Sequence, residues 1–170
     1  MGYEAYPWKT YQQPDWNNWL ASEYVQLDQY DAQEMFGDPT EVDLDAAVFC
    51  TVWTYAIKAL DGWYKAQCTC NGLLRSRQAQ FLDETYTNCV DQTSTRIFYS
   101  ILAAVNVLIF GADVSNAFAK APPPKQGFYI IPDKAFLEWW VNHKKLSPIP
   151  DGHVIPILSS MQGHPESLPL

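Results

Sequence analysis

Ala47-Val48-Phe49-Cys50-Thr51-Val52-Trp53-Thr54-Tyr55-Ala56-Ile57-Lys58 and Trp63-Tyr64-Lys65-Ala66-Gln67-Cys68-Thr69-Cys70, joined by Ala59-Leu60-Asp61-Gly62, form the stretch from which the fold can be read. Both arms are rich in β-branched and aromatic residues, and Asp-Gly is a hairpin turn signal. The pattern predicts an antiparallel hairpin over residues 47–70.

Working outward, the downstream chain alternates helical and strand-like runs. Ile97, Ile101 and Val105 fall on one helical face with Phe98 and Leu102 beside it, which predicts a helix over Ser94–Val105. Asp91 or Thr93 is placed to cap it. The apolar run Val107-Leu108-Ile109-Phe110 predicts a strand over Val107–Asp113, packed beneath that helix and carrying a carboxylate at its end. Pro122-Pro123-Pro124 then holds the chain extended. Gly127–Ile131 reads as a strand, and Ala135–Lys145 as a helix through Phe136, Trp139, Trp140 and His143. Pro148-Ile149-Pro150-Asp151-Gly152 is a turn, and His153–Leu158 a short strand leading to Gln162-Gly163.

Upstream, Trp16, Trp19, Leu20, Tyr24, Leu27 and Tyr30 recur at steps of three and four, predicting an amphipathic helix that starts near Pro14-Asp15. Gly37 suits its C′ position, with Pro39 close behind. Residues 38–48 form an acidic loop. Asn71-Gly72 opens a basic stretch with Arg75 and Arg77, read as a solvated loop or a phosphate contact. The chain shows neither an internal repeat nor a clear linker. Helices mixed with hairpin strands place it in the α+β class.

The 170 residues suit one domain with a real core, and a hydrophobic content of 48% argues against disorder. The net charge of −8 is unusual for a nucleic-acid binder. It is also unevenly placed. Residues 1–60 hold ten acids against Lys9 and Lys58, whereas residues 61–170 hold nine acids and nine bases. The acidity therefore belongs to the N-terminal part. The polar, acidic first 30 residues do not read as a secretory signal, and no apolar run approaches a membrane span. An intracellular chain is expected, with Cys50, Cys68, Cys70 and Cys89 as free, mostly buried thiols. Cys68-x-Cys70 is not a zinc-finger spacing. No phosphate-binding Gly-x₄-Gly-Lys-Ser/Thr loop occurs, and no nucleophile stands beside a recognisable base.

The run Gly111-Ala112-Asp113-Val114-Ser115-Asn116-Ala117-Phe118 carries the most specific chemistry. A carboxylate at a strand end can hold Mg²⁺, and small residues after it let a triphosphate approach the backbone. From the strand alone, Asp113 could equally be a capping or turn residue. Asp113–Phe118 resembles the first catalytic motif of Ty1/copia-type retrotransposon reverse transcriptases. Val52–Lys58 and Tyr64–Cys68 resemble that family's paired fingers strands. Ser160-Met161-Gln162-Gly163-His164-Pro165-Glu166-Ser167 resembles its Gln-Gly motif. The resemblance covers roughly residues 34–170, in the family's order. It implies a partial reverse-transcriptase fingers and palm over residues 47–170, preceded by an acidic, aromatic helical extension over 1–46.

By resemblance, Asp113 is the catalytic metal ligand, and the backbone carbonyl of Val114 also reaches Mg²⁺. Ser115, Asn116 and Ala117 offer backbone N–H groups to the triphosphate. Phe118 closes on the sugar and favours deoxynucleotides, or else is a core Phe. Lys65 neutralises the triphosphate. The family's Arg two positions later is Gln67 here, so one charge is lost, and Lys58 is a second candidate. Gln162 and Gly163 line the nucleotide. Asp113 and Gln162-Gly163 are expected to converge on one cleft, with Lys65 facing it. The implied partners are a primer–template of RNA or DNA, a deoxynucleoside triphosphate and the remainder of a polyprotein.

The departure is that no Asp-Asp pair occurs in the sequence, although the family uses an aromatic-x-Asp-Asp hairpin for its remaining metal carboxylates. The expectation is therefore a fragment of a retroelement RNA-directed DNA polymerase that ends before that hairpin and is inactive alone. A domesticated protein-interaction module that keeps the fold is the alternative.

Overall fold

In the computed structural model, the hairpin expected over residues 47–70 is present as β1 (Ala47–Ile57) and β2 (Tyr64–Cys70), paired antiparallel from Ile57 opposite Tyr64 to Thr51 opposite Cys70. The structure describes residues 14–42, 46–58, 62–72, 91–105, 107–108, 110, 117–121, 123–124 and 127–164. Gly62 takes φ 67 at the turn and sends its N–H to the Lys58 carbonyl at 2.9 Å. Along β2, buried Ala66, Cys68 and Cys70 alternate with more exposed Lys65, Gln67 and Thr69. That two-residue period is what the pleat dictates when one face of a sheet is covered.

Two more strands complete the sheet. β3 (Phe128–Ile131) runs parallel to the start of β1, and β4 (Ile155–Ile157) runs antiparallel to β3, giving the order β2-β1-β3-β4. Helix α1 (Trp16–Asp31) packs on one face. Beside it lie α4 (Lys134–Glu138) and a π-helical turn (Trp139–His143) that continues α4. The remaining described helices are α2 (Gln92–Ala104) and α3 (Ala117–Lys120). The architecture is α+β, as the sequence predicts.

The main core joins Leu27 and Tyr30 of α1 to Phe49, Cys68, Phe128, Ile130, Phe136, Trp139, Ile155, Ile157 and Met161. Each large apolar side chain buried there contributes roughly 1.5–3 kcal/mol. A smaller cluster forms nearer the hairpin turn, where Trp19 meets Tyr55 and Ala66. Trp19 sits edge-on to Tyr55 at 5.4 Å and to Tyr64 at 4.5 Å between ring centroids.

Both outer strands of the sheet bond to neighbouring segments. On β2, the Ser22 hydroxyl donates to the Tyr64 carbonyl at 2.9 Å and its Oγ accepts the Ala66 N–H at 2.6 Å. The Tyr30 hydroxyl donates to the Cys68 carbonyl at 2.9 Å, and the Cys70 N–H donates to the Gln162 carbonyl at 2.7 Å. On β4, Gly37 N–H donates to the Pro156 carbonyl at 2.9 Å, and Thr40 and Val154 exchange backbone bonds at 3.0 and 2.9 Å. Proline at position 156 is tolerated because an edge strand can do without one N–H.

Three expectations are corrected. Gly37 does not cap α1. The helix closes earlier, with Glu34 at φ 54, Glu34 N–H bonded to Asp31 at 2.9 Å and Met35 N–H bonded to Tyr30 at 3.1 Å. That is a Schellman closure with Glu34 in the left-handed position. Gly37 instead allows close approach to β4, where an added Cβ would lie 3.1 Å from the Pro156 Cβ.

The strand expected over 107–113 is not formed in its described part. Val107, Leu108 and Phe110 lie in no strand and are exposed, Phe110 at 89%. Among the described residues no strand lies beneath α2, none of whose residues is buried. An apolar run becomes a strand only where a neighbour offers free N–H and C=O groups, so composition alone does not make one. The helix expected over Ala135–Lys145 starts one residue earlier, changes to π geometry at Trp139 and ends at His143, with Lys145 beyond it at φ 59.

Candidate functional site

β2 carries the first set of expected site residues. Lys65 and Gln67 are two apart, so they share the sheet face opposite α1. Lys65 is exposed at the hairpin's outer side. The Gln67 side-chain amide donates to the Gln162 side-chain oxygen. A second tie runs alongside, since the Cys70 N–H bonds the Gln162 carbonyl. The hairpin and the Met161–His164 turn are thus joined through both backbone and side chain.

Gly163 is required at its position. It takes φ 88, and an added Cβ would fall on the Cys70 carbonyl oxygen. The left-handed conformation and the close approach each exclude a side chain. Next to it, His164 is 3% exposed, with its ring 4.2 Å from Phe128 and 5.1 Å from Phe49 between centroids. Burial pushes its imidazolium down to about 4, so the ring is neutral at physiological pH. Sequence reading passed over His164, and the signal for it was its place one residue after Gly163 in a motif already singled out.

Ala117 and Phe118 lie in α3 and are half-buried. Asp113, Val114, Ser115 and Asn116 lie outside the described residues, as do Arg75 and Arg77. The structure therefore brings Gln67, Gln162 and Gly163 together, while Lys65 lies two residues before Gln67 on the same face of β2. The expected convergence with Asp113 falls outside what is described. Among the described residues, no group of three or more His, Cys, Asp or Glu is placed to hold a metal ion. No described helix is long and apolar enough to cross a membrane.

A second polar group, unforeseen in the sequence, lies under the other face of the hairpin. Glu23 of α1 is fully buried, with its Oε1 accepting the Tyr55 hydroxyl at 2.6 Å. Its Oε2 is buried with no hydrogen-bond partner. Desolvation raises the carboxyl to about 7, opposed by the Tyr55 bond and reinforced by the charges of Asp133 and Glu138. Asp133 is saturated, since its Oδ2 accepts from Thr51 Oγ1 at 2.7 Å and Trp53 Nε1 at 2.6 Å. Its Oδ1 caps α4 by accepting the Phe136 N–H at 2.9 Å. A carboxylate with all these donors is a structural tie between β1 and α4. Glu23 was legible only as one more residue of an acidic helix, because its burial depends on what α1 meets.

The thiols divide. Cys68 and Cys70 are buried, which pushes Cys68 well up and Cys70 to about 12, so both stay protonated. Cys50 is exposed on the opposite sheet face.

Comparison with protein-family models, with curated proteins and with solved structures yields no match.

Proposed function

We propose that this chain carries the nucleotide-facing fingers and partial palm of a Ty1/copia-type RNA-directed DNA polymerase. The observation that supports this reading best is the Gln67–Gln162 hydrogen bond. It joins two segments, distant in sequence, that the resemblance assigns to one nucleotide-binding surface. In this reading Lys65 faces the triphosphate from the hairpin, and Gln162-Gly163 presents backbone and amide groups to the nucleotide. Phe118 stands against the sugar. Asp113 supplies a carboxylate, and Val114 its carbonyl, to Mg²⁺. The ion would neutralise phosphate charge, while the protein's own part is to orient the nucleotide between β2 and the Gln-Gly turn.

With one such carboxylate and no Asp-Asp pair in the sequence, binding is the informative readout and primer extension by the chain alone is expected to be undetectable. Titration of the full chain with Mg²⁺ and a deoxynucleoside triphosphate, followed by tryptophan fluorescence, should show saturable binding. Asp113→Ala and Lys65→Ala should each weaken it about tenfold or more, as loss of a charge-assisted contact does. No binding at millimolar nucleotide, or binding indifferent to both substitutions, would sink the reading.

A second reading, a protein-interaction module, is favoured by α2, on which Ile97, Phe98, Tyr99 and Ile101 are all more than half exposed.

A further inference from the structure

Edge strands offer unpaired N–H and C=O groups to any passing strand, and folded proteins block them. Here the outward groups at the start of β2 are blocked by one side chain. Ser22 accepts from the Ala66 N–H and donates to the Tyr64 carbonyl. Ser22 is on the N-terminal half of α1, which is held by the small cluster of Trp19, Tyr55 and Ala66. The C-terminal half, with Leu27 and Tyr30, belongs to the main core. The two halves thus differ in their main anchor, with Tyr24 and Trp53 packing against the main core as well.

Glu23 follows Ser22 directly and lies fully buried in the seam between α1 and the hairpin. The titratable groups that face it are known from each side. β1 presents the Tyr55 hydroxyl, which donates to Oε1. β2 presents the buried Cys68 thiol, and the Tyr64 hydroxyl, which is engaged with Asp15 at 2.7 Å. From the two ends of α4 come Asp133 and Glu138, both of which raise the Glu23 pKa by like charge, and Lys134 reaches Glu138 at 3.8 Å on the surface. Tyr24 lies beside it on α1. Among the described residues, the charges that act on Glu23 are those of Asp133 and Glu138. An ionised Glu23 would thus be a buried anion with one hydrogen bond, one bare oxygen and two acidic neighbours.

We propose that residues 16–26 of α1 are a releasable strap over the β2 edge, latched while the Glu23 carboxyl keeps its proton. Loss of the proton makes the closed seam costly and the open one favourable, because outside the seam the carboxylate is solvated. Opening lifts Ser22 away and uncovers the Tyr64 carbonyl and Ala66 N–H, the groups an added strand would use. The latch releases as pH rises through the neutral range, opposite to the protonation switches built on histidine. This device is independent of the nucleotide-binding reading.

Residue-resolved amide hydrogen exchange on the full chain tests it, with protection corrected for intrinsic exchange. Protection of the Ala66 amide should fall roughly tenfold between about pH 5.5 and about pH 8. At the higher pH its exchange should be nearly independent of low urea, as a local opening is, while the Cys70 amide follows the urea slope of global unfolding. Glu23→Gln should abolish the pH-dependent fall. Tyr55→Phe should move its midpoint upward, since the hydroxyl bond favours the ionised carboxyl. The proposal is overturned if Ala66 shares the urea slope of Cys70 or if the fall survives Glu23→Gln. Should that variant not fold, an unmoved midpoint in Tyr55→Phe overturns it as well.

Discussion

Helices α1 and α2 make opposite use of similar apolar content. α1 buries Trp19, Leu27 and Tyr30 against the sheet, although its apolar residues are interrupted by Glu23 and Gln26, which are also buried. α2 has the cleaner stripe in Ile97, Ile101 and Val105, and a well-formed cap in which Asp91 accepts the Thr93 and Ser94 N–H groups at 2.7 and 2.9 Å. Yet it buries nothing. Amphipathic period predicts that a helix forms, and says little about whether a partner surface exists. What distinguishes α1 is polar fit. Ser22, Glu23 and Tyr30 each meet a group on the hairpin that would otherwise stand unbonded or badly solvated.

The largest test of that difference is Trp19→Ala. The indole is fully buried between Tyr55 and Tyr64, so its loss should cost about 3–5 kcal/mol in chemical denaturation. A cost below about 1 kcal/mol would place α1 in the same class as α2.

The second test uses pH. Glu23 has a folded pKa of about 7 against an ordinary 4.5, so the folded state holds its proton longer and stability falls as pH rises from 4.5 to 7. His164 has a folded pKa of about 4 against 6.5, so the folded state resists protonation and stability falls as pH drops from 6.5 to 4. The two slopes oppose one another across the shared range. The wild-type profile should therefore be nearly flat there. His164→Phe should unmask a decline toward neutral pH of order 2–3 kcal/mol in total. Glu23→Gln should unmask the opposite slope. Parallel profiles for both variants would refute the assignment.

The smallest effect is expected on α2. Ile97→Ser with Ile101→Ser, at positions 55% and 57% exposed, should change stability by no more than about 0.5 kcal/mol per site. A cooperative loss above about 2 kcal/mol would mean that the helix face is covered in solution, which bears directly on the interaction-module reading.

Short-range information determined much of this protein. The hairpin of β1 and β2 follows from β-branched and aromatic residues around a turn whose Gly62 takes positive φ. The cap of α2 by Asp91 and the strand at Phe128–Ile131 are likewise local, because propensity, capping and turn chemistry act within a few residues. Gly163 was legible as a close-approach site, though not that Cys70 would be the backbone approached.

Tertiary structure alone decided the rest. Val107, Leu108 and Phe110 belong to a run of strand composition yet lie in no strand and stay exposed. The helix of Phe136–His143 shifts to π geometry within a pattern that reads as regular α. Glu23 reads as a solvated acid and becomes a buried carboxyl near neutral pKa. In each case the outcome depends on which surface a residue meets after the chain has closed loops of many residues. Burial, edge occupancy and desolvation are properties of that meeting, and the order of residues along the chain does not contain them separately from the fold.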